Sequence, residues 1–133
     1  MLVIDSSVVL AWLLPDEHSS EAESTLRRMR EEAALAPTLL AAEVGNVLLA
    51  ASRRGRISGD FCDEAFAKFE QYPIDLVPMQ RDHVREALAL GSRYALTVYD
   101  ALYLRLAAEH RAMLCSYGTR LRAAAASHGV TCN

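Results

Sequence analysis

The chain has 133 residues, of which 52% are hydrophobic and 23% are charged. That balance excludes intrinsic disorder and predicts one folded domain, spanning residues 1–133, around a single buried core. The net charge of −3 excludes a generally basic surface of the kind that binds nucleic acid, so a polyanionic substrate would need a cation at the site.

Short apolar segments alternate with longer amphipathic ones along the sequence. Thr38, Ser58 and Thr97 are expected to begin helices, and Pro73 and Gly129 are expected to end them. The predicted elements, in chain order, are a strand at 2–4, an apolar segment at 8–14, a helix at 18–34, a strand at 34–37, helices at 38–54 and 58–72, a strand at 74–78, helices at 81–94 and 99–110, a strand at 112–116, a helix at 119–128 and a last strand at 130–132. This alternation predicts an α/β fold with a parallel sheet covered by helices on both faces.

Polar residues follow two of the predicted strands. Asp5 comes directly after the first strand, and Ser116–Gly118 comes after a later one. Ligands of parallel sheets bind beyond the carboxyl ends of the strands. We therefore expect these two places to lie at the same edge of the sheet.

Glu43 interrupts an apolar helix face. It shares that face with Leu39, Leu40 and Val47, because residues three and four apart lie on one side of a helix. A carboxylate in such a stripe is costly unless it is paired or binds a cation. The structural alternative is a glutamate at the edge of the stripe, reaching solvent or an arginine.

Two aspartates also have structural explanations when each is taken alone. Asp5 could cap the following helix, although Ser6 or Ser7 could do so equally well, which would leave Asp5 free. Asp100 lies three residues after Thr97 and fits a capping box.

Taken together, Asp5, Glu43 and Asp100 indicate a metal site. Carboxylates brought to one end of a sheet repel one another, and a divalent cation removes that penalty. Hard oxygen ligands without histidine or cysteine suit Mg²⁺ or Mn²⁺, which share their coordination with water and phosphates. The indicated chemistry is hydrolysis of a phosphodiester by a metal-activated water.

Four segments of the sequence resemble PIN-domain proteins of the VapC toxin type. They are Val3–Ser7, Ala11–Glu17, Ala42–Leu48 and Thr97–Leu104. Each is weakly specific, but their order, spacing and helix context match over essentially the whole chain.

The resemblance implies a three-layer α/β/α sandwich and a Mg²⁺- or Mn²⁺-dependent endoribonuclease that acts as the toxin of a toxin–antitoxin pair. It implies a homodimer and a small VapB-like antitoxin, whose tail occupies the active-site groove and whose other end binds operator DNA. By the same resemblance, Asp5, Glu43 and Asp100 are catalytic residues, with Asp5 and Asp100 as metal ligands. Ser7 and Thr97 match positions that support the site with hydroxyl groups.

The sequence departs from the family pattern after the fourth predicted main strand. The family has Thr-x-Asp there, whereas this chain has Ser116 in place of the threonine and Gly118 in place of the acid. Gly118 is either a natural divergence or a laboratory replacement, with the otherwise intact motif favouring the second. Loss of even a residue that contacts a metal ligand lowers metal affinity or activity by roughly 10–100-fold. We therefore expect impaired activity.

Basic residues are candidates for phosphate contacts. Arg120 and Arg122 follow the site loop and are the better candidates for RNA binding. The cluster at Arg27–Arg30 is interpreted as a solvated helix end. The cluster at Arg53–Arg56 remains open between the two interpretations.

Aromatic residues are mostly expected to pack. Trp12 and the pair Tyr99 and Tyr103 are interpreted as core or interface residues, whereas Tyr117 in the site loop could stack on a base. The four histidines show no ligand spacing.

The sequence also predicts a cytoplasmic protein. Its three cysteines, Cys62, Cys115 and Cys132, are odd in number and lack metal-ligand spacing, so we expect reduced thiols with Cys115 buried in a strand. The first residues lack the pattern of a secretory signal, and no segment approaches the length of a membrane span.

The sequence therefore predicts a metal-dependent endoribonuclease toxin, with two rivals. One is an inactive protein of the same fold that binds antitoxin or RNA, with Gly118 as the sign of lost activity. The other is a phosphohydrolase with Asp5 as nucleophile, although that chemistry requires a second aspartate where this chain has Ser7.

Overall fold

Four short parallel strands form the central sheet in the order β3-β2-β1-β4. The strands are β1 (Leu2–Ile4), β2 (Ala34–Pro37), β3 (Ile74–Val77) and β4 (Met113–Cys115). The structure is a computed structural model that describes residues 1–133. All neighbouring strands are parallel, because an intervening segment returns the chain to the same end of the sheet each time.

Seven helices surround this sheet. They are α1 (Ser6–Leu13), α2 (Ser20–Arg28), α3 (Leu39–Arg53), α4 (Gly59–Phe69), α5 (Arg81–Tyr94), α6 (Val98–His110) and α7 (Thr119–Ser127). Helix α6 packs on β1, β2 and β4 and is flanked by α5 and α7, whereas α1, α3 and α4 pack on one another. The predicted α/β/α sandwich with a parallel sheet is confirmed. None of the helices is long and apolar enough to cross a membrane.

Strand β1 lies at the centre of the core. All three of its residues are fully buried, which shows that both faces of the sheet are covered there and explains the unbroken apolar run in the sequence. Each such side chain contributes roughly 1.5–3 kcal/mol of burial free energy. The edge strand β3 departs from the prediction that helices cover both faces of the sheet, because Leu76 on this strand remains 40% exposed.

Some predicted boundaries were wrong. The helix expected over residues 18–34 ends at Arg28, because Ala34 is used in β2, where it pairs with Leu2 of β1. The last strand, expected over residues 130–132, is a single bridge between Leu114 and Cys132. Thr38 has helical backbone angles and makes no side-chain cap.

The sheet order creates a switch point beside β1. The chain adds β2 and then β3 on one side of β1 and crosses back to add β4 on the other side, so the strand order reverses between β1 and β4. The Asp5 amide donates a hydrogen bond to the Cys115 carbonyl at 3.1 Å. The carboxyl ends of β1 and β4 therefore meet where ligands bind in open α/β sheets.

The three cysteines are free thiols, and Cys115 is fully buried in β4 as expected. Burial raises the pKa of the Cys115 thiol to about 12. That thiol stays protonated at neutral pH and is chemically inert.

Candidate active site

Asp5 is the buried centre of the switch point, with only 6% of its surface exposed. It is also the N-cap of α1, since its Oδ1 accepts the Val8 amide at 3.3 Å. The same oxygen accepts the Ser7 hydroxyl at 2.6 Å, and Oδ2 accepts the Ser116 hydroxyl. Of the caps that the sequence offered for α1, which were Asp5, Ser6 and Ser7, the structure uses Asp5, so this carboxylate caps the helix from within the site.

Two serine hydroxyls fix the loop after β4 against Asp5. The Tyr117 amide donates to Ser7 Oγ at 2.9 Å, and the Gly118 amide donates to Ser116 Oγ at 3.0 Å. Each hydroxyl thus donates to Asp5 and accepts from the loop backbone. The structure brings Ser7, Ser116 and Gly118 to the site edge where the sequence placed them.

Glu43 lies half-buried on α3, beside the buried Leu40 and Val44. Its Oε1 accepts the hydroxyl of Tyr103 from α6 at 2.6 Å. The sequence offered solvent or an arginine as the structural partner of this carboxylate, whereas the structure supplies a tyrosine. Tyr103 is 1% exposed, so it packs in the core as expected and also reaches the site.

Asp100 lies in the first turn of α6. Its amide donates to Thr97 Oγ1 at 3.1 Å, so Thr97 caps the helix as predicted. The return bond of a capping box, from the Thr97 amide to the Asp100 carboxylate, is not formed. The Asp100 carboxylate is therefore not used by the cap.

The negative charges of the three carboxylates affect one another, and no cationic side chain pairs with them. None of them forms an ion pair with a lysine, arginine or histidine. Burial raises the pKa of Asp5, while the hydroxyls of Ser116 and Ser7 partly oppose the rise and the charge of Asp100 adds to it. Burial likewise raises the pKa of Glu43, to which the charges of Asp5 and Asp100 contribute, and burial raises that of Asp100.

A divalent cation would relieve this repulsion. The structure contains no group of three or more histidine, cysteine, aspartate or glutamate side chains that could hold a metal ion as they are placed. Mg²⁺ does not require one, because it usually keeps several waters and takes one or two carboxylates. The all-oxygen donors therefore fit Mg²⁺ or Mn²⁺, with Asp5 and Asp100 as candidate ligands and Glu43 beside them.

Gly118 occupies a position that does not require glycine. Its φ of −69° suits any residue, and a Cβ added there would lie 3.4 Å from Ser116 Oγ and 3.7 Å from Leu121 Cβ. Gly118 is also the N-cap position of α7, which has no side-chain cap. The backbone at this position and its neighbours therefore accept a residue with a Cβ, such as aspartate.

The predicted phosphate-binding arginines differ in their surroundings. Arg120 is exposed and forms no ion pair, whereas Arg122 lies 3.9 Å from Glu21. Arg28 forms an ion pair with Glu32 at 2.6 Å, in agreement with a solvated helix end.

The arginines of the cluster at Arg53–Arg56, at the end of α3, differ in their contacts. Arg56 binds Asp16 at 2.7 Å. Arg53 and Arg54 are exposed and form no ion pair.

The aromatic predictions were right in part. Trp12 is buried and packs edge-on against Tyr72. Tyr99 is 58% exposed, so it lies outside the core of this chain, and its interpretation as an interface residue stays a prediction. Tyr103 is the site residue that the sequence analysis missed, although its position three residues after Asp100 placed it on the same helix face.

Comparison with known proteins agrees with this fold. A model of the PIN domain matches residues 2–127, and the chain belongs to the PIN-domain family. It is 33% identical over 107 residues to ribonuclease VapC3 of Pyrobaculum aerophilum, covering 80% of each chain. The resemblance to the VapC type is thereby confirmed.

Solved structures share the fold at lower identity. A toxin–antitoxin complex from Klebsiella pneumoniae aligns with a TM-score of 0.63 at 17% identity, covering 92% of this chain and 91% of that one. VapC20 of Mycobacterium tuberculosis, described as a sarcin–ricin loop cleaving toxin, aligns with a TM-score of 0.66 at 12% identity, covering 93% and 95%.

Proposed function

We propose that the chain is a Mg²⁺- or Mn²⁺-dependent endoribonuclease and the toxin of a toxin–antitoxin pair. The observation that carries the proposal is the set of uncompensated acids Asp5, Glu43 and Asp100 at the switch point of a PIN-domain sheet. The identity with a protein named as a ribonuclease supports RNA as the substrate. The cytoplasm follows as the proposed location, because that is where such a substrate is present.

Each side chain has a definite part in the proposed chemistry. When bound, Mg²⁺ or Mn²⁺ would supply an activated water and neutralise charge on the scissile phosphate. Asp5 and Asp100 would hold the cation, and Glu43 would orient the water. Ser7 and Ser116 keep the Asp5 carboxylate in one orientation through their hydrogen bonds. No side chain acts as a nucleophile, and exposed Arg120 is placed to contact substrate phosphates.

The proposed partners follow from the comparisons. A fold neighbour was solved as a toxin–antitoxin complex, which supports a VapB-like antitoxin for this chain. Operator DNA would then be bound only through the antitoxin. A homodimer is proposed on the family resemblance.

The structure disfavours Asp5 as a covalent nucleophile. Ser7, two residues on, donates to Asp5 rather than acting as an acid toward a leaving group. The inactive binding protein remains the second candidate, because Gly118 supplies no carboxylate.

Removal of metal should abolish cleavage. We expect cleavage of structured RNA in Mg²⁺ or Mn²⁺, and a fall of at least about 100-fold in EDTA, since the cation contributes several kcal/mol to the barrier. Excess Mg²⁺ should restore the rate. Undiminished cleavage in EDTA would exclude the metal mechanism, and RNA binding without cleavage under any metal condition would favour the inactive binding protein.

A further inference from the structure

The Tyr103 side chain bonds to one of the three acids and lies on the helix that carries another. It lies three residues after Asp100 on α6, and its hydroxyl donates to Glu43 Oε1 on α3 at 2.6 Å, across 60 residues of sequence. Residues three apart share a helix face. One side chain thus relates the acid of α3 to the acid of α6.

The tyrosine is well suited to hold a carboxylate in place. Its ring is packed in the core and 1% exposed, so the hydroxyl has little freedom to move. Burial and the neighbouring charge of Glu43 raise the pKa of the phenol well above its usual value. The hydroxyl therefore keeps its proton and remains a hydrogen-bond donor.

The tyrosine hydroxyls of this chain differ in whether they have a partner. The Tyr72 hydroxyl is buried and has no hydrogen-bond partner. The Tyr103 bond is instead directed at an ionisable group in the candidate site. Its geometry is that of a short, charge-assisted hydrogen bond.

We propose that Tyr103 is a positioning residue, which holds Glu43 Oε1 so that Oε2 is the oxygen presented to the cation or its water. This inference rests on the proposed nuclease function. Partners of this kind, which contact a ligand rather than the metal, typically change metal affinity or activity by about 10–100-fold. Tyr103 acts through Glu43 and does not itself touch substrate.

The test is Tyr103→Phe, made both in this chain and with Gly118→Asp. Phenylalanine retains the ring and removes only the hydroxyl. We expect kcat for RNA cleavage to fall about 10-fold with KM unchanged, and the Kd for Mn²⁺, measured calorimetrically without RNA, to rise about 10-fold. Tyr72→Phe is the matched control, since its hydroxyl has no partner, and it should change neither value.

A second variant separates positioning from simple stabilisation of the fold. In a Glu43→Gln background, Tyr103→Phe should have little further effect on kcat or on Mn²⁺ binding, because residues in one hydrogen bond are not additive. Wild-type kcat and Mn²⁺ affinity in Tyr103→Phe, or full additivity with Glu43→Gln, would overturn the inference alone. Absence of both cleavage and Mn²⁺ binding in the two parent proteins would overturn the proposed function, and the inference with it.

Discussion

Replacing Asp5 with asparagine is expected to abolish RNA cleavage while leaving the fold intact. The asparagine oxygen can still accept the Val8 amide that caps α1, but a neutral amide is a poor ligand for a hard cation. We expect kcat/KM to fall by about 100-fold or more, equivalent to roughly 2.7 kcal/mol or more in the barrier. The measurement is the rate of Mg²⁺-dependent cleavage, with thermal unfolding measured in parallel.

Two further variants give this prediction its controls. Asp75→Asn removes the same charge from exposed β3, away from the switch point, and should leave cleavage unchanged. Asp5→Ala should lose activity and also about 1 kcal/mol of stability, because the cap is lost with the carboxylate. Normal cleavage by Asp5→Asn would exclude Asp5 as a metal ligand.

Restoring an acid at Gly118 is expected to increase both metal binding and cleavage. The backbone there suits aspartate, and the new Cβ would lie 3.4 Å from Ser116 Oγ, whose hydroxyl already donates to Asp5. A fourth carboxylate beside Asp5 should raise Mn²⁺ affinity and the cleavage rate by about 10–100-fold. Calorimetric titration with Mn²⁺ and RNA cleavage assays measure the two effects.

Gly118→Asn is the matched control for this gain. Asparagine caps a helix about as well as aspartate does, so both variants should stabilise α7 alike, while only the aspartate should increase cleavage. Equal activity in this chain and in Gly118→Asp would contradict the alignment of the Ser116–Gly118 loop with the family's acidic motif. That result would favour the inactive protein that binds antitoxin or RNA.

Much of the scaffold could be predicted because its signals are local. The apolar run Leu2–Ile4 and the turn residues around it define β1, and α5 has the predicted bounds. The helix over residues 18–34 was predicted too long, because pairing of Ala34 with Leu2 depends on residues far apart in sequence. Local periodicity carries no information about such pairing.

The candidate site could likewise be predicted only where its signals are local. Strand ends placed Asp5 and Ser116 at one edge, and the structure joins them by a hydrogen bond. The Tyr103–Glu43 bond could not be predicted, because it depends on how α3 and α6 pack, and a tyrosine in an apolar helix resembles any core residue. The sequence offered helix cap and site acid as alternative roles for Asp5, whereas the structure shows the cap at a residue that also lies at the candidate site.

The most direct test of the account is the position of a metal ion. Crystals of this chain and of its Gly118→Asp variant, soaked in Mn²⁺, should show an anomalous peak at the switch point in both proteins. We predict that carboxylate oxygens of Asp5 and Asp100 lie about 2 Å from that peak, with Glu43 nearby. Absence of a peak there at saturating Mn²⁺ in both crystals, or a peak bound only by other residues, would contradict a single metal site formed by these acids.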